Sequence, residues 1–159
     1  MWGGDGAGYE WPQREHGIHV DANGFVWIGG NYCPADAQAA VQAADDQLLK
    51  FTNDGTFVLQ IGRAGGSKGN ADQGNLHRPA DQWVNPRTNE LFVADGYGNH
   101  RVVVFDAATG RFKRMWGAFG RTPADDDNCA VPPAKPITGD GPPQFSIVHA
   151  VRVAIDGTV

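Results

Sequence analysis

Two histidines have the types and the spacing that metal-assisted chemistry needs. His16 and His149 each lie eight residues before a turn glycine, Gly24 and Gly157, within two stretches of similar sequence, and the stretch between them has Ala80 at this position. Three imidazoles with one open position form a catalytic zinc site, in which the metal polarises a substrate oxygen. We therefore treat both histidines as candidate zinc ligands. The competing interpretation is that each one caps a turn or packs on a neighbour.

A third candidate is Tyr97, which lies between Gly96 and Gly98 in the stretch DGYGNHR. Flanking glycines allow a tight turn and leave the tyrosine ring unobstructed. A phenol hydroxyl beside a metal can donate or accept the proton that a reaction moves. The local sequence leaves open the alternative of a packing aromatic at a sheet edge. The other histidines have no repeat equivalents and are assigned to the surface or the core: His19, His77 and His100.

The elements that must position these side chains recur along the chain. Residues 16–30 resemble residues 80–96, and residues 45–65 resemble residues 99–120. Each stretch has two apolar runs separated by a turn rich in Asp, Asn, Thr or Gly, which is typical of a β-hairpin. Two hairpins in succession make a four-stranded unit.

Repeated four-stranded units are typical of β-propeller blades. The sequence predicts an all-β fold, a β-propeller with blades at 16–62 and 80–117 and the start of another blade at 145–159. Propellers close with about four to eight blades, so we expect this chain to be a fragment or to close by self-association. In such a ring the first strands line a central channel, where His16 and His149 would converge. A β-sandwich with accidental similarity is the alternative.

Two insertions interrupt the repeat. Residues 32–46 are rich in alanine and predict a short helix beginning near Asp36. Residues 121–144 contain six prolines and predict a long irregular loop between blades, of a kind that often lines a binding face. Cys33 and Cys129 lie in these two insertions and either form a disulfide or remain thiols.

Composition and charge exclude two classes of partner. The 159 residues contain 13 Lys and Arg against 18 Asp and Glu, a net charge of −5, and no basic cluster. We therefore expect no nucleic-acid partner. No apolar run approaches the roughly 18 residues needed to span a bilayer, so we expect no membrane partner either. The first residues show no signal-peptide pattern.

Several stretches resemble NHL repeats: HGIHVDANGFVWI, RPADQWVNPRTNELFVADGYGNHRVVVFD and FSIVHAVRVAIDGTV. With the two aligned histidines and DGYGNHR, they resemble more narrowly the six-bladed propeller of the peptidyl-α-hydroxyglycine α-amidating lyases. That resemblance implies cleavage of the N–Cα bond of a peptidyl-α-hydroxyglycine to a peptide amide and glyoxylate. It also implies a peptide or small-molecule substrate and a secreted or periplasmic location, which would suit a Cys33–Cys129 disulfide.

The resemblance assigns roles to individual residues. His16 in EHGI matches a Pro-His-Gly-Leu-like zinc motif, and His149 matches a Phe-x-x-Pro-His zinc motif in which Val148 replaces proline. Tyr97 matches the catalytic tyrosine of an Asp-Gly-Tyr-x-Asn-x-Arg motif. The backbone carbonyl of Ile18 matches a ligand of a structural calcium ion.

Two parts of the family site are expected outside this sequence. The third zinc-binding histidine would follow Val159, and the catalytic arginine would precede Met1, because Arg14 is too close to His16 to match it. The chain is therefore expected to contain part of the site. The alternative function is a non-catalytic NHL propeller, a scaffold that binds a protein, a peptide or a carbohydrate on one face. The generic repeat and the proline-rich loop motivate that alternative.

Overall fold

The computed structural model describes residues 1–34, 42–125, 144–154 and 156–159. These residues form eight β-strands in two four-stranded antiparallel sheets, together with a short 3-10 turn at Ala118–Gly120 and no α-helix. The all-β prediction is thereby confirmed. The helix predicted near Asp36, the residue Cys129 and most of the proline-rich loop lie outside the described residues.

Each sheet is a meander in which every strand pairs with the next one along the chain. The strands are β1 Glu15–Val20, β2 Val26–Gly30, β3 Gln47–Phe51, β4 Phe57–Gly62, β5 Asp81–Asn85, β6 Glu90–Asp95, β7 Arg101–Asp106 and β8 Phe112–Trp116. The first sheet has the order β1-β2-β3-β4 and the second the order β5-β6-β7-β8. The insertion at 32–46 falls between β2 and β3, as the repeat predicts.

The turn glycines that define the repeat adopt the same conformation. Gly24 and Gly157 have φ angles of 82° and 93°, in the left-handed region that glycine enters without steric cost. The amide of Gly24 donates to the Asp21 carbonyl at 2.9 Å, and the amide of Gly157 donates to the Ala154 carbonyl at 3.0 Å. The two turns therefore match, which supports the alignment of the two candidate histidines that precede them.

The main core lies between the two sheets. Trp27 and Leu48 of the first sheet pack with Val93 and Phe105 of the second, and all four side chains are fully buried. Burial of apolar surface of this kind contributes about 25 cal/mol per Å². Strands β1 and β5 lie next to each other, so the first strands of the two units are neighbours.

A buried lysine joins the two sheets through this core. The Lys50 ammonium donates to the carbonyl oxygen of Ala107 at 2.7 Å and lies over the rings of Phe25 and Trp27, at 4.0 and 4.9 Å from their centres. Its desolvation lowers the pKa of Lys50, and the carboxylates of Asp21 and Asp106 oppose that shift. The cation thus links β3 to the chain that follows β7.

The outer face of each sheet is covered by a segment of chain. Tyr9 and Trp11 pack around Phe51 on the first sheet, whereas Val148 and Val151 pack on Phe92 of the second. No described residue belongs to a helix that is long and apolar enough to cross a membrane.

Residues 145–153 differ from the expectation that they form the first strand of a third unit. Within the described part of the chain they pair with no strand, although Val148 and Val151 are buried and Val153 is partly buried against the second sheet. The physical reason is that no neighbouring strand among the described residues offers this segment the N–H and C=O groups with which a ladder forms.

Candidate functional site

Three side chains that the sequence singles out meet at one point. The Tyr97 hydroxyl oxygen lies 3.2 Å from Nε2 of His16 and 2.9 Å from Nε2 of His149. The two imidazole rings are 5.3 Å apart between centres and nearly perpendicular, at 83°. The three side chains come from β1 (His16), from the turn after β6 (Tyr97) and from the segment 145–153 (His149).

His16 is aimed by a β-bulge. Glu15 pairs with Gly30 and Ile18 with Ile28, so His16 and Gly17 together lie opposite the single residue between those partners. A bulge bends its strand and redirects a side chain, and bulges are common beside active sites. The His16 ring therefore leaves the regular alternation of β1.

The other ring nitrogen of His16 fixes its tautomer. Nδ1 lies 2.8 Å from the carbonyl oxygen of Ala80, which accepts hydrogen bonds and cannot donate. Nδ1 must therefore hold the proton, and Nε2 of the neutral ring presents a lone pair to the site. A metal-ligating imidazole is oriented in this way. Gly17 permits the approach, because a Cβ there would lie 2.8 Å from the same carbonyl oxygen.

Tyr97 lies in a turn whose glycines are needed for space. Gly96 and Gly98 are not among the residues with positive φ. A tight turn with left-handed backbone therefore does not explain why glycine occupies these two positions. A Cβ on Gly96 would lie 2.2 to 2.6 Å from backbone atoms of Val148, and one on Gly98 would lie 2.4 Å from the His77 ring. Gly96 therefore lets the segment that contains His149 approach the turn that contains Tyr97.

The His149 segment is held by apolar packing and by one carboxylate. Val148 and Val151 are buried against the second sheet. The backbone N–H of Val151 donates to Asp81 at 3.3 Å, and Arg152 forms an ion pair with the same carboxylate. Because Arg152 is 61% exposed, that pair contributes less than about 1 kcal/mol.

A buried ion pair stabilises the turn that contains Tyr97. Arg101 Nε donates to Asp95 at 2.8 Å, and both side chains are fully buried. The same carboxylate accepts a bond from the Asn99 amide at 2.8 Å, and its other oxygen accepts the backbone N–H of His77 at 2.8 Å. Asp95, Asn99 and Arg101 belong to the DGYGNHR stretch, so this motif also encodes the scaffold of the turn.

Two residues next to the site were not identified from the sequence. Ala80 accepts the His16 hydrogen bond, and Arg78 donates from its guanidinium to the carbonyl oxygen of Tyr97. The repeat alignment could have drawn attention to them, because Ala80 occupies the repeat position of the two histidines and Arg78 closely precedes it. Ala80 contributes its backbone carbonyl, and the identity of its side chain gives no indication of that role.

Near Arg78 lies a buried carboxyl group, Asp46, which is 2% exposed. Its Oδ2 accepts the backbone N–H of Ser67 at 3.1 Å, and its Oδ1 has no hydrogen-bond partner among the described residues. Desolvation raises the pKa of Asp46 to about 7, and the neighbouring Asp95 carboxylate adds to that shift.

The remaining candidates lie elsewhere. Ile18 pairs with Ile28 and its side chain is 64% exposed, and its assignment to calcium stays a prediction. His19 accepts the backbone N–H of Val84 at 3.3 Å, and His100 is buried. Cys33 is bonded in a disulfide.

The Tyr97 hydroxyl contacts both imidazole nitrogens, and a hydroxyl can donate one hydrogen bond and accept others. Among the described residues no group of three His, Cys, Asp or Glu side chains is placed to hold a metal ion, so His16 and His149 form a pair. The Tyr97 hydroxyl can donate to one Nε2 at a time. A cation at this point would be coordinated by both nitrogens, and the residues present fit two of the ligands of such an ion.

Comparison with known proteins gives distant similarities over most of the chain. It is 27% identical over 143 residues to peptidylglycine alpha-amidating monooxygenase of Rattus norvegicus, covering 87% of this chain and 11% of that protein. It is 31% identical over 142 residues to peptidyl-glycine alpha-amidating monooxygenase B of Xenopus laevis, covering 89% of this chain and 13% of that protein. The chain thus spans about an eighth of the length of these relatives.

A solved structure of a protein from Bacteroides fragilis, described as exported, superposes with a TM-score of 0.48 at 18% identity, covering 70% of this chain and 26% of that one. No family model matches the chain. Within its span, the chain is distantly similar to one part of the peptidylglycine alpha-amidating monooxygenases.

Proposed function

We propose that the chain is part of a zinc-dependent lyase that cleaves a peptidyl-α-hydroxyglycine to a peptide amide and glyoxylate. In this proposal the two sheets are two blades of a six-bladed NHL β-propeller. The observation that carries it is the convergence of His16 Nε2 and His149 Nε2 on the Tyr97 hydroxyl, at 3.2 and 2.9 Å. The distant similarity to peptidylglycine alpha-amidating monooxygenase supports a role in peptide amidation.

His16 and His149 would hold the zinc ion through Nε2, with a further ligand supplied from outside this chain. The protonated Nδ1 of His16, bonded to the Ala80 carbonyl, keeps its Nε2 available for this role. Bound zinc would supply a Lewis acid that polarises a substrate oxygen at neutral pH. A structural calcium ion at the Ile18 carbonyl belongs to the same proposal.

Tyr97 would move the proton that the reaction requires. Cleavage converts the carbinol C–OH into the aldehyde of glyoxylate, and the electrons of the broken C–N bond go to the amide nitrogen. The hydroxyl therefore loses a proton and the nitrogen gains one. The Tyr97 hydroxyl is positioned at the histidine pair and can accept or donate a proton there.

Zinc content and glyoxylate release test the proposal together. We expect stoichiometric zinc in the complete protein, with the further ligand present, and in its His19→Ala control, whose imidazole lies on the same strand and bonds to β5. His16→Ala and His149→Ala should each lose the zinc and the release of glyoxylate from a peptidyl-α-hydroxyglycine. Zinc content that is zero in the parent, or unchanged in both variants, would contradict the proposal.

A non-catalytic propeller that binds a protein, a peptide or a carbohydrate is the second candidate. It is motivated by the generic four-stranded repeat and by the proline-rich stretch 121–144, of a kind that often lines a binding face. For such a scaffold, treatment with a chelator would leave partner binding unchanged and there would be no glyoxylate to measure.

The location we propose is secreted or periplasmic. The supporting observation is the disulfide at Cys33, because disulfides form and persist in oxidising compartments. Detection of the mature protein in a secreted or periplasmic fraction, and not with cytosolic markers, tests this location.

A further inference from the structure

Arg78 lies buried beneath the turn that contains Tyr97. The residue is 4% exposed, and its guanidinium donates to the Tyr97 carbonyl oxygen. Its own backbone N–H donates to the Asp45 carbonyl at 2.9 Å. Arg78 has a φ of 57°, in the left-handed region, where any residue with a Cβ is strained. Backbone strain of this kind persists where the surroundings impose it, and it concentrates at functional sites.

The segment 77–80 is hydrogen-bonded to both halves of the candidate site. Gly98, directly after Tyr97, donates its N–H to the His77 carbonyl at 3.0 Å. At the other end of the segment, Ala80 donates to the Ala94 carbonyl at 2.8 Å and accepts from Nδ1 of His16. One short segment therefore contacts both the backbone beside Tyr97 and the ring of His16.

The charge of Arg78 is accommodated by carboxylates on two elements. Burial lowers the pKa of the Arg78 guanidinium, while Asp46 at the start of β3 and Asp95 at the end of β6 oppose that shift. Asp95 is also paired with Arg101. Arg78 therefore lies between the first sheet and the turn of the second, where its donor group fixes a carbonyl that belongs to the candidate proton-transfer residue.

We infer that Arg78 is a positioning residue for Tyr97, which holds the hydroxyl between the two imidazoles by fixing the backbone from which the phenol projects. This inference rests on the proposed lyase function for its kinetic consequence. Its geometric part, the contact of Tyr97 with His16 and His149, is independent of that function.

The kinetic test is a double-mutant cycle between Arg78 and Tyr97. We expect Arg78→Met to lower kcat by about tenfold to a hundredfold with little change in KM, because a displacement of about 1 Å at a reacting group costs that much. Arg78→Lys should recover part of the loss. In the Tyr97→Phe background, Arg78→Met should not lower kcat further, because Arg78 acts on kcat through the position of the Tyr97 hydroxyl. Arg111→Met, a change at an exposed arginine, is the matched control.

The structural test needs no turnover. In metal-free protein, the 15N resonances of His16 Nε2 and His149 Nε2 report their hydrogen bonds to Tyr97. Arg78→Met should shift both resonances toward their values in Tyr97→Phe, and Arg78→Lys should shift them less. If they stay at the parent values while the fold is retained, or if Arg78→Met lowers kcat equally with and without the hydroxyl, the inference is overturned. A protein without lyase activity would defeat the proposed function and leave this test intact.

Discussion

At the scale of the residue, the site is a tyrosine hydroxyl shared by two imidazole nitrogens. Tyr97 contacts both Nε2 atoms, but it has one proton to donate. A hydroxyl between two imidazoles can donate to one nitrogen and accept from the other, and a group of this kind can take up or release a proton beside a metal.

Replacement of that hydroxyl separates proton transfer from metal binding. We expect Tyr97→Phe to keep the zinc content, because the ligands are imidazole nitrogens, and to reduce turnover by about a hundredfold to ten-thousandfold. Turnover is measured as glyoxylate release and zinc by elemental analysis of the same preparation. Near-normal turnover would remove Tyr97 from the mechanism.

Asp46 gives the protein a pH-dependent stability. Its folded-state pKa is raised from 3.8 to about 7 by desolvation, so between about pH 4 and pH 7 the folded state binds more protons than the unfolded state. The free energy of unfolding should therefore fall as the pH rises through this window, by at most about 4 kcal/mol, and level off above it.

Asp46→Asn isolates this contribution, since an amide of the same shape does not titrate. We expect the stability of the variant relative to the parent to rise between pH 4 and pH 7, measured by denaturant unfolding at each pH. A difference that is constant across this range would show that Asp46 titrates normally in the folded protein.

The residue types and the repeat register together predicted the three side chains that meet, but not the residues that hold them in position. The repeat register aligned His16 with His149, and the glycines drew attention to Tyr97. The roles of Ala80 and Arg78 depend on backbone carbonyl positions, which side-chain chemistry does not encode. They become visible when β5 and β6 are placed beside β1.

At the scale of the element, the site depends on how closely separate segments approach one another. The Tyr97 turn meets the His149 segment through the Gly96 backbone, where a Cβ would lie 2.2 Å from the Val148 carbonyl oxygen. His16 is brought in by a bulge at the start of β1. Neither feature is predictable from hydrophobic periodicity, because the bulge breaks that pattern and the approach depends on the distance between elements.

Gly96→Ala should separate Tyr97 from His149. Overpacking of this kind costs about 1–3 kcal/mol, and we expect the strain to be relieved by displacement of the segment 145–153. Zinc affinity should fall with it, measured by competition with a chromogenic chelator. The control is Gly74→Ala, where the nearest atom to a new Cβ would be a carboxylate oxygen of Asp72, at an ordinary contact distance of 3.7 Å. Equal zinc affinity in both variants would contradict this account of Gly96.

At the scale of the whole molecule, two sheets share one core, and the buried ammonium of Lys50 crosses it. The four-stranded units and their order followed from the repeat, since each predicted hairpin turn is present at its expected position. The segment 145–153 did not form the expected strand, because no strand among the described residues pairs with it. Repeat similarity predicts a local conformation, whereas a ladder also requires a partner strand.

The cross-sheet cation makes a measurable contribution to stability. Lys50→Met keeps the buried volume but removes the donor to the Ala107 carbonyl. We expect a loss of about 1–3 kcal/mol in the free energy of unfolding, the cost of a buried carbonyl deprived of its donor. Lys113→Met, which removes a partly exposed ion pair with Glu90, should cost less than about 1 kcal/mol. Equal losses would show that Lys50 does not link the sheets.

The position of His149 on a segment without a ladder has a consequence for hydrogen exchange. Amides of residues 145–153 lack the strand bonds that protect β6 and β7, so they should exchange by local opening well before the sheets do. A ligand that bridges His16 and His149 would bind the docked segment and not the open one. Its affinity could then be measured as added amide protection in nine residues, while the exchange rates of both sheets stay unchanged.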